Sequence, residues 1–314
     1  MRPDPELITN APPQDYHLHY ALEHAPFSIQ SDTALFVLAE GHERALDKLY
    51  RALIGRKSLM LITGAPGTGK TLLLQTLMEL AEDHCEFLVV HSEDLDACDL
   101  AASEPRDKSR LSSLILAATA EGRADGRKES ATTTVNEQLR DYIRKSRTSQ
   151  RRPTVVIDEA QRLSDAALET LRCWSNLDNQ AGTALQFILA GHNSLGDRLN
   201  SEPLTNLKQR IGMRCELPTL SLGDTQRYIA HRCLLAGATR PLFERAVIIR
   251  IYSLTAGCPR LINTVADALL LGAFLAGRRS VELQDVARVS EDLNLRYAPI
   301  VQRPDQLAPV TDSS

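Results

Sequence analysis

Residues 64–71 read GAPGTGKT, and they join two segments with different hydrophobic patterns. The preceding segment, Ser58–Thr63, is a short apolar run that stops at a glycine, which is typical of a buried parallel strand. The following segment, Thr71–Ala81, has the apolar spacing of a helix. The three glycines between them allow backbone N–H groups to turn inward around an anion, and the helix adds the positive end of its dipole. This stretch therefore predicts a strand, a phosphate-binding loop and a helix.

The loop fits the pattern G-x-x-x-x-G-K-[ST] of proteins that bind nucleoside triphosphates. In that pattern the lysine, here Lys70, reaches the β- and γ-phosphates, and the hydroxyl of Thr71 ligates Mg²⁺. We therefore expect ATP and Mg²⁺ as cofactors. An ordinary glycine-rich turn is the alternative, and the complete spacing between strand and helix argues against it. The residues expected to contact the nucleotide are Gly64, Ala65, Pro66, Gly67, Thr68, Gly69, Lys70, Thr71 and Leu72.

Two adjacent carboxylates follow another apolar run. Thr154–Ile157 predicts a buried strand, and Asp158 and Glu159 come directly after it. We expect Asp158 to hold Mg²⁺ and Glu159 to orient and polarise the attacking water, because phosphoryl transfer depends mainly on positioning and charge neutralisation. Such a pair alone often serves only at the N-terminus of a helix. Together with the phosphate-binding loop it predicts hydrolysis of ATP.

A further polar pair, His192 and Asn193, follows the apolar run Leu185–Ala190. In a parallel sheet, residues at the carboxyl ends of the strands line the ligand crevice. Either side chain could therefore contact the γ-phosphate or the attacking water. A polar loop that merely leaves the sheet explains the same pattern equally well.

The predicted elements divide the chain into two parts. Strands alternate with helices over about 160 residues, which predicts an α/β fold with a parallel sheet sandwiched by helices, and the loop motif is typical of the P-loop NTPase class. A small all-helical lid domain follows Pro218. We expect a flexible lead at 1–15, the ATPase domain at 16–218, the lid at 219–296 and a disordered tail at 297–314. Further predicted elements are helices at Glu40–Ile54, Val135–Arg147, Asp165–Leu177, Asp224–Ala236, Leu242–Thr255, Pro259–Ala276 and Val281–Asn294, and strands at Phe87–Val90 and Met213–Leu217.

The composition excludes several classes of protein. The 314 residues are 43% hydrophobic and 24% charged, which is ordinary for a folded chain and unlike a disordered or fibrous one. The longest apolar run, Ala268–Gly277, is half of the ~20 residues that a membrane-spanning helix needs. The N-terminus lacks the apolar stretch of a secretory signal. We therefore expect a cytoplasmic location and no insertion into a membrane.

The charge is unevenly distributed. The net charge is -4, yet residues 103–152 hold 12 Lys or Arg against 7 Asp or Glu, so this stretch carries +5 and the remainder -9. Lys and Arg side chains can neutralise DNA phosphates without reading sequence. Duplex DNA is thus a candidate partner for the basic segment, defined here as residues 106–152. A solvated helix and loop would show the same charge pattern.

These motifs together resemble those of an AAA+ ATPase. The sequence is more narrowly similar to the ExeA/GspA-type ATPases of general secretion pathways, in which the strand that carries the carboxylates commonly continues as DEAQ-x-L. Residues 158–163 of this chain read DEAQRL. The resemblance covers residues 16–295, and the other residues that match in order and spacing are Ala25–Ser28, Gly41–Leu46, Glu169–Arg172, Leu177, Tyr228, Ile229, Gly237, Phe243, Ala246 and Gly257–Asn263.

The resemblance implies roles for two arginines. Arg260 matches the sensor-2 arginine, which bridges the lid to the γ-phosphate, and Arg210 matches the arginine finger. ATP would then be hydrolysed between subunits of a ring or filament. From the pattern alone, Arg210 could instead be a solvated helix residue. The family usually has Gln where this chain has His192, so the choice between His192 and Asn193 as sensor stays open. Phe27 could lie near the adenine or in a core.

The resemblance allows two biological roles. Secretion-type members often continue into a transmembrane helix and a peptidoglycan-binding region, and this sequence ends before either. Compact ATPases of similar architecture regulate transposition by assembling on DNA and recruiting a transposase. A DNA-associated oligomeric regulator of a mobile element is our first hypothesis. The alternative is an ExeA-like assembly ATPase that acts on a protein partner such as a secretion component.

Overall fold

The computed structural model of the chain describes residues 16–28, 37–90, 151–175 and 185–296. These residues form two compact units, an α/β unit within 41–218 and a helical unit that combines residues before 41 with residues from 219 onward. The predicted lead 1–15, the predicted helix Val135–Arg147, the predicted tail 297–314 and nearly all of the basic segment lie outside the described residues.

The described helices and strands agree with most of the predicted elements to within a few residues. Numbered in chain order, the strands are β1 (Leu59–Gly64), β2 (Cys85–Val90), β3 (Arg152–Ile157), β4 (Gln186–Gly191) and β5 (Met213–Leu217). The helices are α1 (Tyr16–His19), α2 (Glu40–Ile54), α3 (Lys70–Leu80), α4 (Asp165–Trp174), α5 (Asn193–Arg198), α6 (Thr205–Arg210), α7 (Leu222–Leu235), α8 (Arg245–Thr255), α9 (Pro259–Leu275) and α10 (Leu283–Asp292). The short helices α1, α5 and α6 were not predicted.

All neighbouring strands of the five-stranded sheet are parallel, and their order is β2-β3-β4-β1-β5. Every residue of β4 is buried, as expected for a strand in the middle of a covered parallel sheet. Because β4 pairs with both β1 and β3, its carboxyl end lies between the carboxyl ends of those two strands. The sheet therefore brings the segments that follow β1, β3 and β4 to one edge.

Apolar side chains from the sheet and the helices that follow it form the core of the α/β unit. Phe187 of β4 is fully buried, and Leu168 and Trp174 belong to the same cluster on α4. Helix α4 begins after Ser164, whose side chain accepts a hydrogen bond from the Ala167 amide at 3.2 Å. This cap satisfies one of the amides that a helix start leaves without a partner.

The helical unit is built around α9, whose buried side chains recur at helical spacing from Ile262 to Ala273. Helix α7 begins with the predicted capping interaction, in which the Asp224 amide donates to the Ser221 side chain and the Ser221 amide donates to the Asp224 carboxylate. No helix among the residues that the structure describes is long and apolar enough to cross a membrane.

The N-terminal segment, residues 16–28, packs into the core of the helical unit, whereas the sequence analysis placed the start of the ATPase domain at residue 16. Phe27 is 1% exposed, and its ring lies edge-on to Phe243 with centroids 5.7 Å apart. The Arg232 guanidinium holds the segment by donating to the carbonyls of Pro26 at 2.6 Å and Ser28 at 3.0 Å. Of the two alternatives for Phe27, the structure shows packing in a core.

Replacing Phe27 by Ala should lower the free energy of unfolding of the helical unit by about 3–5 kcal/mol, the usual cost of truncating a buried Phe. Urea denaturation followed by circular dichroism measures this change. The control is Leu18→Ala in the same segment, where the side chain is 65% exposed and the expected change is within about 0.5 kcal/mol. Equal losses in the two variants would show that Phe27 does not belong to this core.

Candidate active site

The loop between β1 and α3 has the backbone geometry that its glycines predict. Gly67 and Gly69 have φ values of +78° and +94°, in the left-handed region that side chains disfavour. Gly64 is required for a different reason, because a Cβ atom there would lie 2.9 Å from the Leu217 carbonyl oxygen of β5. The loop thus approaches the neighbouring strand closely while its backbone turns around a small space.

Lys70 is the first residue of α3, and its side chain folds back over the loop. The residue is only 5% exposed, and its ammonium donates to the carbonyl oxygens of Gly64 and Ala65, both at 3.0 Å. A buried ammonium needs such acceptors. Charged phosphate oxygens are stronger acceptors than carbonyls, so a phosphate held by the loop would attract the same ammonium.

A buried histidine supports the loop from α2. His42 is 2% exposed, and its Nε2 lies 2.8 Å from the Thr68 carbonyl oxygen. Since a carbonyl oxygen can only accept, Nε2 carries the proton. The Thr68 hydroxyl donates in turn to Ala65 at 2.9 Å inside the loop. The sequence showed His42 only as part of a matching segment, and no role was predicted for it.

Thr71 and Asp158 meet at the edge of the sheet, although 87 positions separate them in sequence. The Thr71 hydroxyl donates to Asp158 Oδ2 at 2.6 Å, and Asp158 Oδ1 accepts from the Glu159 amide at 2.9 Å. Hydroxyl and carboxylate oxygens are the ligand types that Mg²⁺ takes, usually with phosphate oxygens and water. The two side chains therefore fit an ion held jointly with a nucleotide. No group of three or more His, Cys, Asp or Glu suited to a metal occurs among the described residues.

Glu159 has an unusual backbone and a well-defined carboxylate. Its φ of 54° and ψ of 35° lie in the left-handed region, where a non-glycine residue is strained, and such strain clusters at functional sites. Its Oε2 accepts a hydrogen bond from the side-chain nitrogen of Gln161 at 2.5 Å and lies 3.7 Å from His192 Nε2. The carboxylate thus faces the end of β4.

The structure separates the two polar residues that follow β4. His192 is close to Glu159, on the β3 side. Asn193 instead donates to Glu216 Oε1 of β5 at 3.3 Å. Only His192 of this pair is placed beside the carboxylate expected to orient water.

Arg198 of α5 holds the turn that follows the carboxylates. Its guanidinium donates to the carbonyls of Gln161 at 2.9 Å and Leu163 at 2.6 Å, and to the Asp165 carboxylate at 2.7 Å. Sequence reasoning missed this residue, because a lone arginine in a polar stretch carries no motif. Its role appears only when α5 is placed beside the turn.

The other predicted site residues occupy varied positions. The structure brings Thr71 into hydrogen-bond contact with Asp158, and it brings His192 close to Glu159. Ala65 and Pro66 are exposed at the loop, and Leu72 is half-buried in α3. Arg210 is exposed as the last residue of α6. Arg260 is exposed as the second residue of α9 in the helical unit.

Comparison with known proteins shows which proteins this chain resembles. Residues 52–199 match the family described as AAA domain. The chain is 28% identical over 285 residues to general secretion pathway protein A of Aeromonas hydrophila, an alignment that covers 89% of this chain and 48% of that protein. The chain thus spans about half the length of this relative. The predicted resemblance to ExeA/GspA-type ATPases and the predicted enzyme class, an ATP hydrolase, are confirmed.

Solved structures support the predicted fold of the chain. Cdc6p from Pyrobaculum aerophilum superposes with a TM-score of 0.63 at 17% identity, covering 85% of this chain and 70% of that one. The ORC2 protein of Aeropyrum pernix, solved as ADPNP-ADP complexes, gives a TM-score of 0.61 at 18% identity over 86% and 72% of the two chains. The predicted α/β class with a helical region is confirmed.

Proposed function

We propose that the α/β unit binds Mg²⁺ and ATP at the loop Gly64–Thr71. In this proposal the unit hydrolyses ATP, and Glu159 is the residue that orients the attacking water. The hydrogen bond between Thr71 and Asp158 carries this proposal. The hydroxyl at the start of α3 lies against the carboxylate at the end of β3, and both are oxygen ligands of the kind that Mg²⁺ takes. Thr71 and Asp158 would hold the ion, which would neutralise charge that develops during transfer.

In the proposed reaction, Glu159 accepts a hydrogen bond from a water molecule and aligns it with the γ-phosphorus. The new bond forms between water oxygen and phosphorus, and the bond from phosphorus to the β–γ bridging oxygen breaks. ADP retains that oxygen, inorganic phosphate leaves with the water oxygen and one of its protons, and the other proton passes to solvent by way of Glu159. The backbone amides of the loop and Lys70 stabilise the negative charge on the phosphates. His192, beside the same carboxylate, is the better candidate than Asn193 for contact with the γ-phosphate.

Replacing Glu159 by Gln should lower ATP turnover roughly 100- to 10,000-fold, the range for loss of a group that handles a proton in the transition state. Binding of ATP should persist, because the loop and Lys70 are unchanged. Phosphate release and fluorescent-nucleotide titration measure the two quantities. Glu202→Gln, at an exposed glutamate of the same unit, is the control. Wild-type turnover in Glu159→Gln would refute the assignment.

We further propose that Arg210 acts on ATP bound by a neighbouring subunit of an oligomer. Its exposure at the end of α6, together with the family match, supports this role. A guanidinium presented to another subunit must be on the surface of its own. Arg260 is proposed to reach the γ-phosphate from the helical unit, as the family resemblance implies.

Mixing two inactive variants tests the shared site. Subunits with Lys70→Ala lack a working loop but keep Arg210, and subunits with Arg210→Ala keep the loop. We expect each variant alone to be inactive and the mixture to recover part of the ATP turnover. A mixture of Lys70→Ala with Glu159→Gln should stay inactive, because both changes disable the subunit's own site. Full activity of Arg210→Ala alone would contradict the proposal.

For the output of the ATP cycle, we propose an ExeA-like assembly role on a protein partner. The similarity to general secretion pathway protein A, which extends over 89% of the chain, supports it. The charge of residues 103–152 supports the second candidate, an ATPase that assembles on duplex DNA and recruits a protein such as a transposase.

Binding to duplex DNA distinguishes these roles. The DNA-associated role requires binding at low salt in the presence of a slowly hydrolysed ATP analogue, with affinity that falls steeply as salt rises. Neutralising Arg144, Lys145 and Arg147 should then weaken binding. Neutralising three exposed arginines of the helical unit should not, and these are Arg245, Arg279 and Arg288. Absence of binding under these conditions would exclude the DNA role and leave the protein-partner role.

A further inference from the structure

The side chain of Gln161 lies between the Glu159 carboxylate and the end of β4. We propose that Gln161 is a positioning residue that orients the Glu159 carboxylate toward the attacking water. This inference rests on the proposed role of Glu159 in hydrolysis. Nothing in the sequence patterns assigned a role to Gln161, which appeared only as one letter of the DEAQRL segment.

The two hydrogen bonds of Gln161 determine the orientation of its amide. Its oxygen accepts from the His192 backbone amide at 3.1 Å, and its nitrogen donates to Glu159 Oε2 at 2.5 Å. A backbone N–H can only donate and a carboxylate can only accept, so the opposite orientation of the amide would lose both bonds. The side chain of Gln161 therefore connects the His192 backbone, directly after β4, to the Glu159 carboxylate of the proposed active site.

The surroundings of Gln161 restrict its position. The Arg198 guanidinium donates to its backbone carbonyl at 2.9 Å. Its side-chain oxygen lies close to Gly191, where a Cβ atom would be 2.7 Å away from it. Backbone and side chain of Gln161 are thus both held by α5 and the end of β4.

Glu159 needs such a partner because its carboxylate is partly open to solvent. Its side chain is 32% exposed, and a glutamate has several rotatable bonds. A carboxylate that rotates freely would meet the attacking water in only part of its conformations, and catalysis depends on a well-aligned geometry. The Gln161 amide selects one orientation of the carboxylate. Lys70 and the loop make no use of this bond, so nucleotide binding does not depend on it.

Replacing Gln161 by Leu tests the proposal, because leucine is apolar and of comparable size. We expect kcat for ATP to fall roughly 10- to 100-fold, as for other residues that orient a catalytic group. KM and the affinity for a non-hydrolysable ATP analogue should stay within about twofold, since the change affects the reacting state. Gln284→Leu is the matched control. Gln284 makes the same kind of bond to a glutamate two residues away, Glu282, in the helical unit, and its loss should leave kcat unchanged.

A second variant, Gln161→Glu, separates the two bonds. At about pH 8 the new carboxylate still accepts from the His192 amide but offers no donor to Glu159. If Gln161 acts through Glu159, this variant loses kcat as Gln161→Leu does. Retained kcat would mean that only the contact with β4 matters, and the proposal would be wrong. This variant also decides the matter if Gln161→Leu fails to fold.

Combining Gln161→Leu with Glu159→Gln distinguishes this inference from the proposed function. The double variant should turn over ATP at the residual rate of Glu159→Gln, because a positioning residue has no effect once its target is removed. A further loss of similar size would overturn the proposal. Wild-type turnover in Glu159→Gln would refute the role of Glu159 itself. A large loss in Glu159→Gln with unchanged kcat in Gln161→Leu would refute only the role of Gln161.

Discussion

The pairing of β4 with both β1 and β3 is the constraint on which the site depends. Parallel strands end at one edge, so the order of the sheet decides which following segments meet. Because β4 separates the other two strands, the loop after β1 and the carboxylates after β3 approach each other across its end. The bond between Thr71 and Asp158 and the contacts of Glu159 with Gln161 and His192 follow from this order.

The same arrangement distributes charge in a way that suits phosphate chemistry. The loop contributes backbone amides and the Lys70 ammonium, which attract an anion, while the end of β3 contributes the carboxylates. A cation between them is favoured because it neutralises both the phosphates and Asp158. Glu159 is displaced from that position by its left-handed backbone and faces β4 instead. The adjacent carboxylates therefore have separate environments and can take separate tasks.

Local sequence patterns predicted most of the fold and the central part of the site. The strand before Gly64, the helix after Lys70 and the carboxylates after Ile157 depend on neighbouring residues, so each could be recognised on its own. The contacts of Gln161 with His192 and of Arg198 with Leu163 could not, because they join segments about 30 or more positions apart and arise only once the strand order is known. The different contacts of His192 and Asn193 likewise appear only in the structure.

The packing of the N-terminal segment, residues 16–28, is another contact between distant parts of the chain that local sequence patterns could not predict. Its tyrosines and Phe27 predict burial, but an apolar pattern does not say which core receives it. In the structure, the Arg232 guanidinium and the Phe243 ring bind the segment to helices that follow residue 219. The helical unit thus contains chain from both sides of the α/β unit.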